Sequence, residues 1–321
     1  MINFQVNHYS QMIPHGKRRQ AIDQALTNKW AQAAHLLFLD SFMQESKWKS
    51  DELAFHGGTS LHLSWRSPRY SEDLDFLLSR TAKGAAQVVN NATKRVQARF
   101  RAIDPDFTVQ VKDRTKDEDR MQVFNITVSH PRIVGNAMIK VEFWKTDPAY
   151  LQNYPTEFKT PVAAGDLAGT ISYPVPAARL ATAYADKLVA FATRPQLKWR
   201  DIFDLWWIGT QSNAQIDRNQ MYTQFLQNIQ AYTPLKGLPP HKALLEFLQH
   251  DRQQVINKAD PDLRNWLPDG LWKVLHPTGV IQMVDYVRSE LQSVHDAIEY
   301  QIASQAQDVP TDKAIAEIPK G

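Results

Sequence analysis

Apolar residues return at helical spacing across 17–45, at Ile22, Ala25, Leu26, Trp30, Ala33 and 36–39, which predicts one or two helices. A short apolar strand, 53–56, then runs into the adjacent glycines Gly57 and Gly58. Thr59 and Ser60 are placed to cap a short helix over 61–65, ended by Pro68. Alternation predicts a strand over 74–78, and helical periodicity returns at 85–103, where Lys94, Arg95, Arg99 and Arg101 form a basic face.

Strand-like alternation marks 107–111, 121–128 and 137–144. Between the first two, eight of the nine residues 112–120 are charged, which a core cannot hold, so this reads as a solvated hairpin loop. The stretch 147–176 is rich in Pro and Gly and reads as an irregular connector. Beyond it the pattern is helical over 178–192, 199–210, 219–231, 242–256 and 279–302, and it is lost from about 305.

The expected class is α+β. N-terminal helices (1–50) precede an α/β core with a mixed sheet (51–175), a helical domain (176–304) and a frayed tail (305–321).

Composition narrows the chemistry. There is no cysteine, so disulfides, thiolate metal sites and cysteine nucleophiles are excluded. A formal net charge of +3 permits a nucleic-acid partner without demanding one. The opening residues lack the apolar core of a signal peptide, and no apolar run approaches the ~18 residues of a membrane span. A cytoplasmic protein without membrane contact is expected.

Asp-x-Asp occurs four times, at Asp73/Asp75, Asp104/Asp106, Asp117/Asp119 and Asp260/Asp262. Only the first lies in an alternating apolar strand, where i and i+2 share a face. Leu74 and Phe76 then anchor the opposite face. Two carboxylates ~4 Å apart repel by roughly 4 kcal/mol at an effective dielectric near 20, which a cation between them relieves. Oxygen donors suit Mg²⁺, which commonly shares its shell with phosphates.

In the strand at 139–144, Lys140, Glu142 and Trp144 share one face. Glu142 becomes a third carboxylate if this strand lies beside the Asp73/Asp75 strand; the plain alternative is a Lys140/Glu142 pair on a solvated edge. Gly57 and Gly58, between a strand and a helix, allow the backbone to approach a phosphate. In isolation they are also compatible with a tight turn.

The order of Gly57-Gly58-Thr59-Ser60-Leu61, then Arg69-x-Ser71-x-Asp73-Leu74-Asp75-Phe76, resembles the AbiEii-type nucleotidyltransferase toxins. These belong to abortive-infection and type IV toxin–antitoxin systems and are related to the MenT toxins. Lys140-x-Glu142 resembles the second motif of that family. Asp186-Lys187-Leu188-Val189-Ala190, Arg194 and Arg200-Asp201-Ile202-Phe203-Asp204-Leu205 are similar to its later ones. The likeness spans roughly 50–210.

It implies a polymerase-β-like nucleotidyltransferase core that binds an NTP with Mg²⁺ or Mn²⁺ and transfers a nucleotide, in MenT relatives to the acceptor end of tRNA. It also implies a phage-defence role and a cognate antitoxin as partner. By the same resemblance Asp73, Asp75 and Glu142 bind metal, and Gly57, Gly58, Thr59, Arg69, Ser71 and Lys140 bind nucleotide. Lys187 meets the triphosphate, and Asp201 completes the catalytic set with Asp73, Asp75 and Lys187.

A small-molecule or protein-hydroxyl acceptor, or a catalytically silent nucleotide-binding module, is the alternative. The basic face of 85–103 and the run Lys17-Arg18-Arg19 are candidate RNA contacts, or equally solvated surface.

Overall fold

The computed structural model of the chain describes residues 12–13, 19–162, 172–211, 218–230 and 240–307. Nine strands lie among these residues: β1 (Gln20–Ala21), β2 (Leu53–His56), β3 (Asp73–Ser79), β4 (Thr108–Asp113), β5 (Met121–Ser129), β6 (Ile133–Val134), β7 (Ala137–Thr146), β8 (Thr156–Lys159) and β9 (Val175–Ala178). Seven form one mixed sheet in the order β4-β5-β7-β3-β2-β9-β8, while β1 and β6 pair separately.

Helices α1 (Gln24–Glu45) and α3 (Ala85–Ile103) pack against each other, and α1 lies on β7. Asp23 caps α1 by accepting the Leu26 N–H. In α3 the buried Val89, Ala92, Val96 and Phe100 recur every three or four residues, so one face is core and the other stays polar. The central strands bury Phe55, Phe76 and Phe143; Phe76 and Phe143 meet Phe42 of α1, and Phe76 lies 5.1–5.2 Å from Phe42, Phe55 and Phe143. This leaves the alternate positions of β3 and β7, including Asp73, Asp75, Lys140 and Glu142, on the opposite face.

That face is partly covered by α2 (Gly57–Trp65), α4 (Pro148–Gln152) and α5 (Leu180–Thr193). Next come α6 (Trp199–Thr210), α7 (Arg218–Gln230), α8 (Pro240–Ala243), α9 (Glu246–Gln249), α10 (Arg252–Asn257), α11 (Ala259–Leu263), α12 (Asp269–Leu275) and α13 (Thr278–Gln307). They share a second core in which Trp199, Ile202, Leu205, Leu188, Val287 and Leu291 are buried. The expected α+β architecture, a mixed-sheet core followed by helices, is therefore present. Among the described residues no helix is long and apolar enough to cross a membrane.

Three expectations need correction. The 147–176 connector contains α4, β8 and part of β9; β8 has one large apolar residue, Phe158, among Thr156, Glu157 and Lys159, and Pro176 disguises β9. The helix expected over 242–256 is broken: His250 is extended, and Asp251 starts α10 by accepting the Gln254 N–H. Helix α2 begins at Gly57, so Thr59 and Ser60 do not cap it. Their hydroxyls instead donate to the Asp73 and Phe55 carbonyls. The tail from 308 lies outside the described residues, as do Lys17 and Arg18.

Candidate active site

Strands β3 and β7 are parallel and in register, with Asp73 opposite Lys140 and Asp75 opposite Glu142. On its other side β3 runs antiparallel to β2, which sets His56 opposite Asp75. Register alone thus assembles three carboxylates, a lysine and a histidine on one patch of sheet. The Lys140 ammonium lies 3.4 Å from Asp73 and 3.2 Å from Glu142. Burial pushes the Asp73, Asp75 and Glu142 carboxyls above their ordinary range. Mutual repulsion adds to this, between Asp75 and Asp73 and between Glu142 and Asp75. Burial alone would lower Lys140, but Asp73 and Glu142 hold it raised.

The glycine pair fits this patch closely. Gly57 has φ +76°, and a Cβ there would collide with the Asp75 carboxylate. A Cβ on Gly58 would meet the Arg69 guanidinium and approach Ser71 Oγ to 2.9 Å. No side chain caps the α2 N-terminus, which lies against Asp75, so its first amides have no side-chain acceptor as a cap. Thr59 ties α2 to β3 through its bond to the Asp73 carbonyl.

Asp75 and Glu142 border a cavity of about 340 Å³ lined also by Gly57, Lys187 and Arg194, with Leu61, Ala183 and Val189 as apolar wall; Asp73 is not part of the lining. Gly57, Asp75, Glu142 and Lys187, all candidate site residues, therefore meet around one space. A larger, open cavity of about 800 Å³ lies beyond the far ends of β3 and β7, between Arg80, Lys83, Lys145 and the charged hairpin. It holds none of the predicted residues; Trp144 borders both spaces.

Several predicted residues are engaged in ion pairs. Arg69, 2% exposed, grips Asp204 with two bonds of 2.7 Å and donates to the Tyr70 carbonyl. Lys187 reaches the same Asp204 at 2.7 Å and Asp201 at 3.1 Å, and Arg194 closes on Asp201. Three cations and two carboxylates thus lock α5, α6 and the segment ahead of β3 together. Arg69 and Asp201 both sit in this lock, and neither lines the cavity.

Burial alone would raise Asp204, but Arg69 and Lys187 hold its carboxyl below the usual range. The basic face of α3 is on the opposite layer of the sheet, where Arg95 pairs with Glu45.

Residues given no role from the sequence also converge here. His56 lies 3.7 Å from Asp186, which accepts from Tyr154 Oη and from Asn228 Nδ2 at 2.6 Å. Burial alone would lower His56, but Asp186 and Asp75 hold it raised. Its place as the last residue before the glycines was the available signal.

Asp262, from one of the discounted Asp-x-Asp pairs, caps α6 by accepting the Trp199 N–H at 2.8 Å. The Trp266 carbonyl accepts the Tyr70 N–H at 2.8 Å. Arg200 lies over the Trp266 ring, 4.5 Å from its centroid.

A different carboxylate–histidine group, Asp104, Asp106 and His130, is close enough to share an ion. Arg132 already pairs with Asp104 at 2.7 Å, and its N–H donates to His130 Nδ1. That bond makes Nδ1 an acceptor, and Nε2 lies 3.3 Å from Asp104, so Asp104 is already engaged by Arg132 and the His130 ring. Asp73, Asp75 and Glu142 do not all close to this spacing, because the Lys140 ammonium stands between Asp73 and Glu142. Their chemistry still fits a hard divalent cation: oxygen donors only, crowded together, with one cation already drawn in.

Paired acids on one strand, a third on its neighbour and a glycine-led helix above them suit transfer at a phosphate ester. The profile of a family described as nucleotidyl transferase AbiEii toxin, type IV toxin–antitoxin system, matches residues 38–270. The chain belongs to this family. No curated protein matches the sequence.

Among solved structures, the chain is similar to a putative nucleotidyltransferase from Helicobacter pylori, with 16% identity, TM-score 0.48, and 87% of this chain and 98% of that one covered. For JHP933 from H. pylori the values are 16%, 0.46, 89% and 98%. For the nucleotidyltransferase toxin MenT4 from Mycobacterium tuberculosis they are 16%, 0.45, 86% and 99%.

Proposed function

We propose that this protein is a toxin that transfers a nucleoside monophosphate from an NTP to an RNA acceptor, the tRNA acceptor end, and so blocks translation. A cognate antitoxin restrains it, and the pair acts in phage defence in the cytoplasm. The observation that carries the chemistry is the register of β3 and β7, which sets Asp73, Asp75 and Glu142 on one face beside the α2 N-terminus. The RNA acceptor and the antitoxin rest on family membership.

In this reading Asp73, Asp75 and Glu142 hold Mg²⁺ or Mn²⁺. When bound, the cation supplies positive charge to the transferring phosphate and the leaving pyrophosphate. The α2 amides and Ser71 take the triphosphate from the glycine side, and the cavity beside Lys187 receives the nucleoside. An acceptor hydroxyl oxygen forms the new bond to the α-phosphorus, the bond to the β-phosphate oxygen breaks, and the hydroxyl proton leaves to solvent as pyrophosphate departs.

Labelled NTPs incubated with total tRNA, and with protein alone, test it. Label should enter tRNA, and Asp73→Ala should abolish both transfer and growth arrest. A variant that retains both refutes the mechanism; label on the protein alone refutes the RNA acceptor.

A further inference from the structure

Phosphate recognition needs cations, and most of those around the acidic patch are already occupied. Arg69 is spent on Asp204, Lys187 on Asp204 and Asp201, Arg194 on Asp201, and Lys140 on Asp73 and Glu142. Arg200 is different. Among the described residues its side chain makes no salt bridge or hydrogen bond, and its guanidinium lies over the Trp266 ring, 4.5 Å from the centroid.

Both partners of this stack are anchored. Asp262 takes the Trp199 N–H next to Arg200, and the Trp266 carbonyl takes the Tyr70 N–H next to Ser71. The stack is thereby tied to the segment that leads into β3, and the charge of Arg200 reaches the Asp73 carboxylate. A planar cation with its stem fixed and its donors unused is preorganised for a phosphate, whose oxygens match the fork of the guanidinium.

We infer that Arg200, held on Trp266, is a phosphate-binding residue on the Asp73 side of the acidic patch, and that 259–266 serves to position it. The ligand is a phosphate of the reaction's own substrates, either the terminal phosphates of the NTP or a phosphodiester of the acceptor strand. The inference rests on the nucleotidyl-transfer reading above.

Two binding measurements separate the sources. One titrates each of four non-hydrolysable NTP analogues with Mg²⁺ by calorimetry; the other titrates labelled tRNA by anisotropy across salt concentrations. Arg200→Ala should weaken at least one of them about tenfold, as loss of a charge-assisted phosphate contact does. If the RNA arm falls, its salt slope should drop by about one.

Arg200→Lys keeps the charge but not the planar fork, and Trp266→Phe keeps an aromatic face. Both should show smaller losses at unchanged melting temperature, which separates positioning from folding if the alanine variant is unstable. All three variants binding both ligands within about twofold of wild type overturns the inference. Wild-type protein that binds neither ligand overturns the functional reading and the inference together.

Discussion

Replacing Asp204 with Asn keeps the shape of the side chain and removes one charge from the lock between α5, α6 and the segment before β3. Asp204 is fully buried and faces two cations, Arg69 through paired bonds and Lys187 at 2.7 Å. In the wild type, three cations face two carboxylates; in Asp204→Asn they face Asp201 alone. The amide also offers N–H donors where both neighbours are donors.

Breaking a buried pair from one side costs about 3–5 kcal/mol. At about 2.1 cal/mol/K per residue, a chain of this length loses about 1.5 °C per kcal/mol, so the melting temperature should fall by about 5–8 °C. The folded-state pKa of Asp204 is depressed, so its contribution is present above the unfolded value near 3.9 and lost as pH falls through the folded value. Calorimetry of both proteins should give a gap that is flat from about pH 8 to 5 and narrows below about 4. A gap under about 1 °C at neutral pH, or one that shrinks between pH 8 and 6, refutes this account of the lock.

The acidic patch has the opposite sign. Asp73, Asp75 and Glu142 have raised folded-state pKa values, so metal-free protein should lose stability as pH rises from about 4 through those values. Mg²⁺ or Mn²⁺ should then raise the melting temperature more at pH 8 than at 5.5; equal shifts contradict the site. Asp75→Asn should stabilise the protein in chelator by about 1 kcal/mol, the repulsion discounted for partial exposure, and abolish the metal-induced shift. Gly57→Ala, at φ +76° and against the Asp75 carboxylate, should cost ~1–2 kcal/mol and eliminate transfer. Gly84→Ala, at φ +81° with open space around it, should cost stability but leave transfer intact. Arg69→Lys should lower the melting temperature while KM for NTP, measured below the transition, stays within about twofold of wild type; a large KM change at unchanged stability would return Arg69 to the ligand.

Much of the fold is legible because periodicity and burial coincide. The bounds of β2, α3 and α6 follow from their apolar spacing, and Met121 to Ser129 alternates between half-buried and buried without a break. What is hidden depends on partners distant in sequence. Nothing in 147–176 announces that Ala177 will pair with Phe55. Apolar alternation singles out Asp73/Asp75 among the four Asp-x-Asp pairs, but only the β3–β7 register sets Glu142 opposite Asp75, and only the fold makes Asp262 a helix cap and pairs Asp104 with Arg132. Likewise Arg69 and Lys187 carry no local sign that one buried aspartate will claim both. A charge pattern shows which groups need a partner, whereas topology decides which partner is near.

The two bonds that fasten 259–266, from Trp199 to Asp262 and from Tyr70 to Trp266, bear on how small a working fragment can be. A cut after α6 would keep every stretch that carries the family resemblance, yet remove the cap of that helix and the ring beneath Arg200. The smallest self-sufficient piece should therefore run to at least Leu267, which is buried and follows the ring. The family profile itself ends close by, at 270.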